Sequence, residues 1–157
     1  MVLISWCLAQ KNGIQLAEPN KNMSQSYIKM AEESIAILSG VEKSRIWTAT
    51  TSYYIFYYSL YSLMLRIGVK CEIHSCSLEF MKQFLHEFYN KKDIDMMNTA
   101  FSARIDLQYY SDRPVDESAI KEIKAYCKDF YIKTKKSLSI INEDQVNAIR
   151  DRLKEKT

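Results

Sequence analysis

The stretch IWTATTSYYIFYYSLYSLML, residues 46–65, decides the fold of this chain. It holds 20 residues between Arg45 and Arg66 and not one formal charge. That length is enough to span a bilayer. Eleven of the 20 are Ser, Thr or Tyr, however. Hydrocarbon would leave many of those hydroxyls without partners, at roughly 2 kcal/mol or more each. Helix neighbours in a water-soluble bundle can supply the partners instead, so the stretch reads as a buried helix and not a membrane span. At helical spacing Trp47, Tyr54, Tyr58, Tyr61 and Leu65 form one stripe, and Ile46, Tyr53, Tyr57, Leu60, Met64 and Ile67 form a second. A helix that is apolar or aromatic nearly all round is covered on every side. Neighbours in a small domain cover about half of such a helix, which leaves Trp47, Tyr54, Tyr58 and Tyr61 as a candidate homodimer interface. The alternative is a central core helix in a monomer.

The totals agree with one helical domain. At 157 residues the chain can bury a real core but not two comfortable ones. Three Gly and two Pro leave little material for tight turns. A net charge of +3 is too weak to require a nucleic-acid partner and does not repel one. The opening MVLISWCLAQ lacks the basic leader and the cleavage site of a secretory signal. Scattered Cys7, Cys71, Cys76 and Cys127 therefore read as reduced thiols of a cytoplasmic protein.

Outward from the central helix, expected over residues 43–67, the chain resolves into further helical segments. Residues 1–22 form an extension: a short helix docked through Leu3, Trp6 and Cys7, then a loop with Gly13 and Pro19. Residues 23–141 form the bundle. Its first helix is capped by Ser24, buries Tyr27, Ala31, Ile35 and Leu38, and ends at Gly40. Gly68 ends the central helix, and residues 69–77 read as a loop. Leu78, Met81, Phe84 and Phe88 mark the next helix, with His86 a structural residue beside them. Asp95 is expected to cap a helix carrying Met96, Ala100, Ala103, Leu107 and Tyr110. Asp116 caps a long one with Ile120, Ile123, Cys127, Phe130, Thr134, Leu138 and Ile141 on one face. Asn142 starts a charged last helix, residues 142–157. No strand pattern competes, and the fold class is an all-α, up-and-down bundle of about five helices.

Several short runs in this order resemble the HEPN family, closest to its small archaeal and bacterial members, over residues 23–138. They are Ala31-Glu32-Glu33, then Ser52-Tyr53-Tyr54-Ile55-Phe56-Tyr57, then Gly68 with Ile73-His74-Ser75 and Phe80, and last Ala103-Arg104 with Gln108-Tyr109-Tyr110. The runs around Trp6-Cys7, Asn12-Gly13-Ile14 and Glu18-Pro19-Asn20 look like an N-terminal extension of some archaeal members. The resemblance implies a dimeric bundle. It also implies a binding or regulatory subunit paired with a minimal nucleotidyltransferase in a toxin–antitoxin-like system, or else a metal-independent ribonuclease.

The family's ribonuclease motif sets an Arg four to six residues before a His, because an imidazole moves the 2′-hydroxyl proton and an Arg stabilises phosphate charge. Here Arg104 is present and Tyr109 stands where the His would be; a phenol is a poor base at neutral pH. His74, from an earlier loop, is the one imidazole that can stand in. The same segment supports a nucleotide- or RNA-binding groove built from Arg104, Asp106, Tyr109 and Tyr110, or a structural network of the same residues. In related pairs a tyrosine just past the motif receives a nucleotide from the partner enzyme; Tyr109 and Tyr110 lie near that point, while Ser111 holds the best-matching position. Cys71, His74 and Cys76 have metal-like spacing, but a closed zinc site needs four ligands and no second cluster exists. The favoured reading is a hydrogen-bonded His74 at a helix start. No motif calls for a cofactor. The six lysines in residues 121–136 read as a solvated helix face, with phosphate contact as the alternative.

Overall fold

The computed structural model describes residues 2–156 and is an all-α helical bundle. In chain order the helices are α1 (Ile4–Ala9), α2 (Lys21–Leu38), α3 (Arg45–Ile67), α4 (His74–Phe84), α5 (Lys91–Tyr109), α6 (Glu117–Ile140) and α7 (Glu143–Lys154). A two-residue antiparallel pair, β1 (Gln15–Leu16) with β2 (Val69–Lys70), ties the N-terminal segment to the end of α3. No helix is long and apolar enough to cross a membrane among the described residues.

The charge-free stretch is the hub. α3 packs most heavily on α2, then on α6 and α5, and also touches α4 and α7. From Thr48 to Ile67 every residue except Tyr54 and Tyr58 is buried within the single chain. The chain's own elements, β2 included, thus cover more of α3 than the half expected of them. Tyr61 is only 8% exposed, so of the four candidate interface residues Trp47, Tyr54 and Tyr58 remain at the surface.

Burial of so many hydroxyls requires partners, since each orphan would cost about 1–3 kcal/mol. Several find them, while Ser52 Oγ stays buried without one. Ser62 Oγ donates to Ser24 O at 2.8 Å and lies 3.0 Å from Ser24 Oγ. Thr48 donates to Val41 O, Thr50 accepts from Gln108, Tyr61 accepts from the Cys71 amide, and Ser59 donates back to Ile55 O.

Helix ends follow side-chain chemistry. Asp116 and Asn142 cap α6 and α7 as expected, and Asn142 forms a reciprocal capping box with Gln145. α2 begins at Lys21, capped by Asn20 and not by Ser24, whose hydroxyl is spent on α3. α5 begins at Lys91 with an Asn90–Asp93 capping box, ahead of the expected Asp95. Asp93 is fully buried and also takes Tyr126 OH and Lys133 Nζ, at 2.8 and 2.6 Å. α4 starts at His74, inside the expected loop, and α2 runs to Leu38 before a 3₁₀ turn over Ser39–Val41.

The thiols differ from expectation. Cys7 and Cys76 are joined in a disulfide that spans 69 residues of sequence. α1 is held there by Cys7, while Leu3 and Trp6 stay exposed rather than docked. With this pair oxidised, cysteine content no longer argues for a reducing compartment.

Gly68 adopts φ 85°, the left-handed conformation, and a Cβ there would meet the Arg150 guanidinium, Ala17 O at 2.5 Å and Pro19 N at 2.8 Å. Gly68→Ala is expected to destabilise the fold by about 2 kcal/mol or more, read as a lower midpoint in denaturant unfolding. Cys76→Ser removes a 69-residue cross-link and is expected to lower stability by ~2–4 kcal/mol in the same measurement.

Candidate functional site

Two consecutive turns of α3 present Tyr53, Tyr54, Tyr57 and Tyr58 beside the start of α4 and the middle of α5. The Tyr53 hydroxyl and His74 Nδ1 are hydrogen-bonded at 2.5 Å. The imidazole lies flat on the Tyr57 ring, with centroids 4.0 Å apart and planes at 9°. Phe101 of α5 also packs against Tyr53, with ring centroids 5.8 Å apart. His74 is the first residue of α4, hydrogen-bonded at a helix start as the sequence suggested.

Arg104 reaches the same cluster from α5. Its Cζ lies 5.2 Å from the Tyr53 centroid and 5.3 Å from that of Tyr54, inside cation–π range. Nη2 donates a long hydrogen bond, 3.4 Å, to Tyr54 OH. Nε is buried with no partner. Among the described residues no carboxylate pairs with Arg104, although ten ion pairs form elsewhere. A half-buried cation is thus held by two aromatic faces and one long hydrogen bond to a phenol.

The electrostatics keep the cluster otherwise neutral. Burial, and secondarily the positive charge of Arg104, bring the His74 pKa down to about 4. Burial pushes the Tyr53 and Tyr57 phenols well above their ordinary range. At neutral pH the site therefore holds one charge, on Arg104.

The four residues expected to form one groove do not share a face. Successive helical positions turn by about 100°, so Asp106 lies roughly 200° from Arg104, whereas Gln108 is only about 40° away. Gln108 accordingly packs with Arg104 toward α3 and donates to Thr50 Oγ1 at 3.1 Å. Asp106 instead pairs with Arg113 at 2.9 Å, and that guanidinium lies 3.7 Å above the Tyr110 ring. Asp106 and Tyr110 line a separate cavity of about 480 Å³ with Lys43, Arg45 and Ile46. Tyr109 is 66% exposed and belongs to neither group. The sequence reading named Arg104 and His74 but missed Tyr53 and Tyr57 as their common support; the unbroken run of tyrosines in α3 was the available signal.

Cys71, His74 and Cys76 do not converge as a ligand set. Cys76 is bonded to Cys7, and the Cys71 thiol donates to Ile73 O at 3.3 Å. Of the lysine run, Lys124 pairs with Glu42, Lys133 with Asp93 and Lys135 with Glu32. Half of the run is thereby committed to ion pairs within the fold. His86 is exposed between buried Leu85 and Phe88.

No family model and no curated protein matches this chain.

His74 has a folded-state pKa near 4 against an ordinary 6.5, so on acidification the unfolded chain binds the proton first. Above pH 6.5 His74 adds no slope to stability; between 6.5 and about 4 it makes stability fall as pH falls. An NMR titration of the His74 ring is expected to show a midpoint near 4, moved upward in Arg104→Gln but still below 6.5, because burial is the larger cause. A wild-type midpoint at 6.5 or above would contradict this electrostatic description.

Proposed function

We propose that this chain is a HEPN-type binding subunit, a helical dimer that holds the phosphate of a nucleotide or RNA at Arg104 and works beside a minimal nucleotidyltransferase. The observation that carries the reading is the state of Arg104: a cation with a buried, unpartnered Nε, no carboxylate partner and two tyrosine rings against it. A phosphate oxygen is the partner such a guanidinium lacks, and charge-assisted bonds of this kind are about twice as strong as neutral ones. Half-exposed Tyr54 and Tyr58 beside it offer ring faces on which a base can stack.

Support for the dimer comes from the large apolar side chains left at the start of α3, with Ile46 43% and Trp47 57% exposed. The idea of a transferase partner rests on the sequence resemblance together with the accessible Tyr109 phenol. If a nucleotide is transferred to this chain, Tyr109 is the accessible acceptor, since Tyr110 lies beneath Arg113.

A second reading, a metal-independent endoribonuclease using Arg104 with His74, is favoured by one observation: both side chains contact Tyr53. Against it stands the chemistry of His74. A base with a pKa near 4 takes a proton weakly at neutral pH, and one of its two nitrogens is already occupied by Tyr53.

Labelled single-stranded RNA incubated with the protein in a chelator separates the readings. The expected result is saturable binding without cleavage, weakened about 5-fold or more in Arg104→Gln, the loss of one charge-assisted phosphate contact. Cleavage by wild type that is lost in both Arg104→Gln and His74→Ala would establish the ribonuclease instead. Neither binding nor cleavage of RNA, with no binding of nucleotides, would remove both.

A further inference from the structure

The other end of α3 carries a second under-satisfied arginine. Arg66 lies on the last turn of the helix, 9% exposed, about 18 Å along the axis from Tyr54 at 1.5 Å per residue. Its Nη1 is buried with no hydrogen-bond partner, and its Nη2 reaches Glu143 Oε1 at 3.3 Å. Glu143 is 68% exposed in its side chain, so this pairing is long and largely hydrated. A buried guanidinium is thus held by one weak contact.

Two cavities open on this residue. One, about 440 Å³, is lined by Arg66 with Pro19, Asn20, Lys21, Asn22 and Glu143. The adjoining one, about 380 Å³, shares Arg66 and Lys21 and adds Ser24, Gln25 and Ser139 among others. Both lie at the start of α2, an 18-residue helix that begins at Lys21. The Asn20 side chain takes the Met23 N–H, which leaves the Lys21 and Asn22 N–H groups without an intrahelical acceptor. The positive end of the helix dipole is directed at the same place. Two cations and two free amides therefore face one carboxylate, and no aromatic ring lines either cavity.

We propose that this groove binds a phosphate group, seated between the first turn of α2 and Arg66, where it takes the place of Glu143 on the guanidinium. The absence of an aromatic wall makes the phosphate itself the recognised element, whether inorganic phosphate or the terminal phosphate of a monoester. The site is distinct from that at Arg104 and does not depend on the function proposed there.

The test is amide NMR of the full chain, titrated with inorganic phosphate, with 5′-AMP and with a single-stranded RNA lacking terminal phosphates, against chloride at matched ionic strength and pH. The expected result is saturable movement of the Lys21 and Asn22 amides with phosphate and 5′-AMP at similar affinity, and none with chloride. Lys21→Gln is expected to weaken binding about 3-fold or more, the size of a partly exposed ionic contact. Glu143→Gln is expected to tighten it by a similar factor, because the competing carboxylate is gone, and Arg104→Gln to leave it unchanged. Glu143 lies at the surface, so that variant decides the matter even where an Arg66 substitution fails to fold. Shifts that chloride reproduces, that survive Lys21→Gln, or that arise with the RNA alone would overturn the site.

Discussion

A helix with no charge and eleven hydroxyls in 20 residues is costly to bury unless most of those hydroxyls find partners, and on α3 the Ser52 hydroxyl is left without one. That constraint shapes the bundle around α3. Ser62 draws in α2 through Ser24, and Thr48 holds the turn before its own helix. Thr50 receives α5 through Gln108, and Tyr61 receives the chain that leaves β2. Each contact places a neighbour in register as well as satisfying a polar atom. Of the tyrosines left over, Tyr53 and Tyr54 are met through their hydroxyls by His74 and Arg104, and Tyr57 through its ring by the imidazole, so the candidate site grows out of the same helix that organises the core.

The site's chemistry follows from what surrounds those two side chains. Burial removes the imidazole's charge at neutral pH, while the guanidinium, whose charge cannot be removed, is stabilised by two ring faces and one long hydrogen bond to Tyr54 OH. Coulomb repulsion between them adds to the lowering of His74, so the pair is arranged to present one cation and a neutral hydrogen-bonding wall. That arrangement suits anion binding better than proton transfer. Three of the six lysines of α6 are engaged by Glu42, Asp93 and Glu32 within the fold.

Much of the architecture was legible in the sequence because the signals are local. The charge-free stretch, the left-handed Gly68 and the caps Asp116 and Asn142 each act within a few residues of where they appear. Helix starts at Lys21 and Lys91 were missed because the opening pairs Lys21-Asn22 and Lys91-Lys92 are polar and exposed, which carries no apolar periodicity; only the asparagine before each marks the boundary. The β1–β2 pair is two residues long and below any pattern. Arg104 and His74 could each be named, but their meeting on Tyr53 depends on how α4 and α5 dock against α3. The Cys7–Cys76 bond is of the same kind, a pairing set by tertiary placement and invisible in spacing. The helical 100° step, by contrast, was available beforehand to separate Asp106 from Arg104.

The most direct measurement is the NMR spectrum of the Arg104 guanidinium N–H groups during titration with a short single-stranded RNA or a nucleotide. Movement and sharpening of the Nε–H signal at saturation, as the unpartnered donor gains an acceptor and the side chain is immobilised, is the expected result. Saturable binding that leaves the Arg104 signals in place, or no binding at all, would contradict the assignment of this residue as the anion-holding group.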